Sequence, residues 1–395
     1  MALPQQPLPA PPATTPFSAN SQRLHHLDAA RALLLLLGLP FHAATKAIFE
    51  SEPAAISFQT SPVIGGYLSA THIFRMFAFF MLAGYFAGMM RERKGADVWL
   101  RERVRRLGLP LLASLATLGV IQFQLQDLLL HKPSPRFLGL PIALDHLWFL
   151  IVLLGYCACY AAIPVHRIAP GLRIQRAMLL SGPGTMGLML ALAGWGVVRI
   201  ISELGVPPIP DAPFETLLWQ QFVFHAAPFA LGVMAWHGRI GDALFARPLW
   251  VIWPAIAMML LVFTPLDPLI RPALGMEIYP DETGMQIMRT MELPLAYLMS
   301  LALFRVLAWL IKGPSRAITF FVDGALAIYL FHLMWAMIIL PKVRTLPVPA
   351  EWQWLLATGV VLMLSSASYL AVRSTNITSI LFCGAAKKQA LQPAG

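Results

Sequence analysis

Ten apolar stretches of about twenty residues, joined by short polar connections, leave this chain few ways to fold. They occupy residues 30–49, 70–90, 107–126, 145–164, 177–200, 217–237, 249–267, 287–311, 317–340 and 352–373. A helix of about 20 apolar residues crosses the hydrocarbon core of a bilayer. Inside that core only helices and closed barrels satisfy their own backbone polar groups. Composition points the same way: 58% of the 395 residues are hydrophobic and 12% are charged, with mean hydropathy +0.67. A soluble domain carries roughly twice that charged fraction. The sequence therefore predicts an all-α polytopic membrane bundle of about ten transmembrane helices.

The net charge of +10 raises nucleic acid as a partner, but the basic residues are in the wrong places for it. They fall in alternate connections: "RERKGADVWLRERVRR" at 91–106, then Arg167, Arg173 and Arg176, then Arg239 and Arg247, then Lys312 and Arg316, then Lys387 and Lys388. The intervening connections are poorer in positive charge: Glu50 and Glu52 in the first, "ELGVPPIPDAPFE" in the fifth, "LDPLIRPALGMEIYPDETG" in the seventh. This is the positive-inside pattern. It predicts a multi-pass chain in contact with the lipid bilayer, no nucleic-acid partner, and both termini in the cytoplasm. Residues 1–22, rich in proline and without a charged side chain, read as a disordered cytoplasmic tail, 23–385 as one transmembrane domain and 386–395 as a second cytoplasmic tail. The three cysteines, Cys157, Cys159 and Cys383, form neither a disulfide framework nor a metal site. No metal or permanently bound cofactor is expected.

Chemistry has to come from polar residues inside the apolar stretches, because soluble catalytic signatures are missing. In "LDAARALLLLLGLPFHAA" (27–44), Arg31 and His42 are eleven residues apart. On a straight helix that is 20° past three turns, and about 16 Å of rise. Asp28 and Lys46 extend the same stripe by a turn at each end. Lipid penalises such a stripe by a few kcal/mol per charge, so it belongs against a bundle interior or a water-filled pathway. His72 and Arg75 lie one turn apart in the second stretch and are candidates for an anionic group or for a structural pair with a carboxylate. Asp145, His146 and Trp148 open the fourth, Trp148 reading first as an interfacial anchor. His225, Glu292, Asp323 and His332 complete the inventory. Nine residues separate Asp323 from His332, which puts them on opposite faces. The basic 91–106 segment reads either as the topology signal or as a surface for a polyanionic donor.

These residues form a recognisable set. "LDAARALLLLLGLPFH" resembles the first-span signature of the membrane acyltransferase-3 family, an arginine followed at a fixed distance by a histidine. "FRMFAFFMLAGYFAG" resembles its second span, with Ala83 where serine is usual. "WLRERVRRLGLP" is similar to the following arginine-rich loop, with the R-x-x-R at Arg103 and Arg106; "HLWFL" at 146–150 and "YLFH" at 329–332 also match. The details are most similar to the branch that succinylates periplasmic glucans. The resemblance implies an O-acyltransferase of a bacterial inner membrane. It would move an acyl group from cytoplasmic acyl-CoA (succinyl-CoA or acetyl-CoA as donor substrate) to a hydroxyl of a glucan or other carbohydrate acceptor. On matching positions it implies His42 as catalytic residue with Arg31 its motif partner, and Arg103 and Arg106, with Arg31, on the donor side. His72, Arg75, Asp145, His146, Trp148 and His332 are then candidates for substrate binding. A neutral imidazole suits the chemistry, since its pKa lies near neutrality. The rival reading is a secondary transporter or exporter of a small solute or glycan, because intramembrane Arg and His also mark transport pathways.

Overall fold

The computed structural model describes residues 25–49, 61–130, 136–165, 182–205, 213–241, 253, 282–313 and 315–386. Among these, nine helices are long and apolar enough to cross a membrane. They coincide with nine of the ten expected stretches; the tenth, 249–267, lies outside the described residues apart from Trp253. The 1–22 segment and Lys387 and Lys388 also lie outside them. The protein is an all-α polytopic membrane bundle.

The first span is made of α1 (His25–Leu36) and α2 (Gly38–Phe49), separated at Leu37. The straight helix assumed from the sequence is therefore interrupted, and the cause is local. Pro40 lacks the N–H that would bond to the preceding turn, and its ring crowds that turn. Two carbonyls beside the interruption are met from other spans. Tyr67 Oη donates to Leu37 O at 2.8 Å and Trp354 Nε1 donates to Pro40 O at 2.8 Å, as intramembrane helix breaks require.

The second span, α3 (Pro62–Lys94), is 33 residues long, about 50 Å at helical rise. Ser61 caps it by accepting from Ile64 N at 3.3 Å. Its far end overruns the membrane, so the segment expected as a basic loop is mostly helix. Arg, Glu and Lys are good helix formers in water, and only Gly95, at φ +80°, separates α3 from α4 (Ala96–Arg103). The same helical rod continues through a π turn at Val104–Gly108, α5 (Leu109–Ser114), a second π turn at Leu115–Gly119 and α6 (Val120–Leu130). After a one-turn 3₁₀ segment at Asp145–Leu147 come α7 (Trp148–Ala162), α8 (Gly182–Gly205), α9 (Pro213–His237), α10 (Glu282–Leu310), α11 (Arg316–Val343) and α12 (Ala350–Arg373). A short α13 (Asn376–Cys383), unforeseen in the sequence, closes on the left-handed Gly384, φ +70°. A side chain at Gly384 would overlap the Arg106 carbonyl, so α13 seats directly on the R-x-x-R segment.

Two features hold the core around α3. At its centre α3 crosses α9 glycine to glycine: a Cβ on Gly84 would overlap the Phe229 carbonyl, and one on Gly232 the Met81 carbonyl. Close backbone approach at small residues is how membrane helices gain packing energy without a hydrophobic drive. At its basic end, Arg91 caps α7. Its guanidinium donates to the carbonyls of Tyr160, Ala161 (3.1 Å) and Ile163 (2.7 Å) at the helix C-terminus, where intrahelical partners run out. Beside it Tyr160 Oη meets His237 Nε2 at 2.7 Å. Glu92 accepts from Trp236 Nε1 and from Arg239, each at 2.5 Å. These bonds tie α3, α7 and α9 together where Arg91, Arg93, Lys94, Arg101, Arg105 and Arg239 gather.

Candidate active site

Three histidines from three parts of the chain meet deep in the bundle. His42 comes from α2 just past the break, His146 from the 3₁₀ segment and His332 from the middle of α11. Their ring centroids are 5.1 Å (His42–His332), 5.0 Å (His146–His332) and 6.3 Å (His42–His146) apart. Tyr329, one turn before His332, packs among them, with its hydroxyl 3.5 Å from His42 Nε2. His146 and His332 are buried, whereas His42 is partly exposed.

Hydrogen bonds set the chemistry of the rings. His332 Nδ1 donates to the Tyr329 carbonyl, which fixes the proton on Nδ1 and leaves Nε2 as the lone-pair nitrogen. That Nε2 is buried and has no hydrogen-bond partner. His146 Nε2 pairs with the Leu330 carbonyl at 3.2 Å, holding the 3₁₀ segment against α11. Among the described residues no three His, Cys, Asp or Glu side chains are placed to share a metal ion.

Phe41 extends the cluster. Arg75 lies over one face of its ring at 4.6 Å, and the His72 ring stacks on it with centroids 5.8 Å apart and an 11° tilt. His72 is exposed and Arg75 is buried. Gly38 makes room for this arrangement: a Cβ there would lie 2.5 Å from Tyr329 Cε2 and 2.6 Å from Arg75 Nη1.

The other expected residues are elsewhere. Asp145 accepts from Gln126 Nε2 at 2.6 Å. Trp148 joins a stack with His225 (5.4 Å, 13°), which in turn lies on Phe80 (4.6 Å, 18°). Arg31 is 3.8 Å from Asp28 and 5.5 Å from the Phe86 ring, toward the basic end. Arg103 is within electrostatic reach of Arg31 and Arg106, so the three arginines share that end of the bundle. Lys46, the last member of the stripe, has its side chain outside the described residues. Asp323 and His332 are indeed apart: Asp323 lines a cavity of about 420 Å³ with Ser315, Arg316, Thr319, Phe320 and Arg373.

Sequence reasoning did not single out Tyr329, although "YLFH" contained it. It also missed the ion pair that holds α8 to α10, Arg199 Nη1 to Glu292 at 2.6 Å. A basic residue in the fifth apolar stretch and an acidic one in the eighth were the available signal.

Residues 24–372 match the sequence profile of the acyltransferase domain. The chain belongs to the acyltransferase-3 family. Curated relatives include proteins called glucans biosynthesis protein C from Shigella boydii serotype 4 (strain Sb227), Escherichia coli (strain K12) and Escherichia coli O9:H4 (strain HS). Each is 28% identical over 328 residues, covering 79% of this chain and 82% of the relative. No solved structure matches. The protein is thus a membrane acyltransferase, and the span of the family match takes in both residue groups described above: the three arginines at the basic end and the histidine cluster.

Proposed function

We propose that this acyltransferase moves an acyl group from acyl-CoA, bound at the basic end, to a hydroxyl of a glucan approaching from the opposite side, with His42 as general base. The basic end is the cytoplasmic one by the positive-inside rule, which puts both termini in the cytoplasm of a bacterium and the acceptor in the periplasm. The observation that carries the reading is the pairing of two stations along the first span. Arg31, with Arg103 and Arg106, offers phosphate-binding guanidinium groups, and His42 lies eleven residues deeper, about 16 Å along a helix. A CoA thioester is long and extended, with its phosphates at one end and its reacting carbonyl at the other. The names of the relatives support a glucan as acceptor.

The chemistry follows from the cluster. The acceptor hydroxyl oxygen attacks the thioester carbonyl carbon while His42 takes its proton. The carbon–sulfur bond then breaks, and the CoA thiolate leaves and takes the proton back from the imidazolium. The Tyr329 hydroxyl, 3.5 Å from His42 Nε2, is the neighbouring O–H that orients that ring. His332 and His146 form its wall.

The test uses purified full-length protein in liposomes, acyl-CoA labelled in the acyl group, and a soluble β-glucan. Label appears in the sugar with the wild type and falls at least about 100-fold with His42→Ala, the scale of general-base catalysis. Wild-type transfer by His42→Ala removes His42 from the mechanism.

A further inference from the structure

We propose that the cavity between the start of α11 and the end of α12 holds the phosphate of an anionic glycerophospholipid from the leaflet at the basic end. The site is apart from the histidine cluster: Arg316 precedes His332 by sixteen residues, about 24 Å along α11. The cavity, about 420 Å³, has Arg316 on one helix and Arg373 on the other, with Ser315 and Thr319 beside them and Asp323 beyond. Among the described residues neither guanidinium is in an ion pair. Arg373 is set in place before any ligand arrives. Its Nη1 donates to Tyr369 Oη at 3.2 Å, and its guanidinium lies 5.8 Å from the centre of that ring. Tyr369 is itself fixed. It is buried, packs on Phe320 with centroids 5.4 Å apart, and lies so close to Gly324 that a Cβ there would meet its Cε1 at 2.7 Å. Ser315 Oγ accepts from Ile318 N at 3.1 Å, which leaves its own O–H to donate. Two guanidinium groups with hydroxyls between them are the donor set that phosphate oxygens accept from.

Charge and position identify the phosphate. Two guanidinium groups against one carboxylate leave a single positive charge in the cavity. The lone charge of a phosphodiester neutralises it, whereas a phosphomonoester brings about two negative charges near neutrality. The cavity lies at the ends of two membrane-spanning helices, α11 and α12, the level at which headgroups meet protein. Basic side chains there attract anionic lipid. Next to the cavity α12 offers an apolar strip. Leu370 precedes Arg373 by three residues and Met363 lies seven before Leu370, and among the described residues both are exposed. Seven residues turn the helix to within 20° of the starting face, so the two side chains make one track leading away from Arg373. A diacyl lipid uses both features: its phosphate enters the cavity while its chains run along Leu370 and Met363. A soluble phosphate has no use for the strip.

The experiment takes delipidated full-length protein in detergent, counts bound lipid by native mass spectrometry and melts each sample. The probes are palmitoyl-oleoyl phosphatidylglycerol and palmitoyl-oleoyl phosphatidylcholine, which share their chains and differ in headgroup charge. The wild type should retain a single phosphatidylglycerol about tenfold more tightly than phosphatidylcholine, and should melt higher with it bound. Arg316→Gln and Arg373→Gln should each weaken that binding about tenfold, the scale of one charge-assisted contact. Lys312→Gln removes the same charge from the same end of the bundle but outside the cavity, and should change binding by less than about twofold. Arg316 is exposed, so Arg316→Gln disturbs no packed side chain and decides the matter if Arg373→Gln fails to fold. Equal retention of the two lipids by the wild type overturns the proposal. So does unchanged binding in Arg316→Gln, or an equal loss in Lys312→Gln and Arg316→Gln, which makes the attraction a diffuse basic surface. Displacement of phosphatidylglycerol by inorganic phosphate at equal concentration overturns it too, because the ligand is then a soluble anion.

Discussion

The α3–α9 crossing gives the sharpest stability prediction. A methyl group at Gly232 would overlap the Met81 carbonyl oxygen and lie 2.6 Å from Tyr85 N, against an ordinary contact of 3.4 Å or more. Relieving the second contact alone separates the two backbones by about 0.8 Å. A gap of that size forfeits a quarter to a half of each facing dispersion contact. Neither obstacle is a side chain that can change rotamer, so the cost belongs at the top of the overpacking range, about 3 kcal/mol. Alanine's better helix propensity returns about 1 kcal/mol, leaving a net loss near 2 kcal/mol for Gly232→Ala. Two glycines on α8 calibrate the measurement. Gly196 would meet the Thr290 carbonyl oxygen at 2.8 Å, whereas Gly194 meets nothing within 4 Å. Thermal unfolding of the three purified variants in one detergent, followed by tryptophan fluorescence, should rank Gly232→Ala lowest, Gly196→Ala between, and Gly194→Ala at or slightly above the wild type. If Gly232→Ala melts as high as Gly194→Ala, the glycine crossing does not hold the core.

Two further outcomes follow from buried or shielded polar groups. Arg199→Leu removes an ion-pair partner of Glu292 and of Glu203, and should cost about 3–5 kcal/mol in chemical unfolding. Glu292→Leu costs less, because Glu203 still holds the guanidinium at 2.8 Å, and equal losses would refute that division of labour. Beyond the last span, burial pushes the Cys383 thiol above its ordinary pKa, so less of it is thiolate at a given pH. In a Cys157→Ala, Cys159→Ala background it should react with maleimide more slowly when folded than when denatured at pH 7.5. The gap should narrow as the pH rises through the folded-state value. A gap that is constant with pH would show that access alone, not ionisation, slows the reaction.

The spans were legible in the sequence because their signal is local: twenty apolar residues in a row mean the same thing whatever surrounds them. Their ends were less so. Nothing in "RERKGADVWLRERVRR" says that its first residues continue α3 and the rest begin the next helix, since good helix formers read equally well as a basic loop. His42, Arg75, His146 and His332 stood out as polar residues in apolar stretches, which lipid does not tolerate without a reason. Which of them would meet was not readable, because it depends on how α2, α3, the 3₁₀ segment and α11 pack. Asp145 and His146 show the difficulty: adjacent in sequence, they point to different partners, Gln126 and Leu330. Asp145 has φ +30°, an uncommon conformation for a residue with a side chain. The same holds for Gly84 and Gly232, each an unremarkable small residue until its partner helix is known.

The first span shows how a correct pattern can carry an incomplete mechanism. Wheel arithmetic treats Arg31 and His42 as one stripe, and a stripe suggests one continuous polar track. The helix instead breaks between them, at Leu37, and the break has its own polar supports in Tyr67 and Trp354. Below it, Arg31 keeps company with Asp28 and Phe86; above it, His42 joins Tyr329 and His332. Gly38 lies at the junction, where any side chain would strike both Tyr329 and Arg75. The missing side chain at Gly38 is therefore what lets a residue of α11 and a residue of α3 close in beside His42. A side chain at position 38 would have kept the same two polar residues on the same face, but with no room for the tyrosine and guanidinium that pack beside His42.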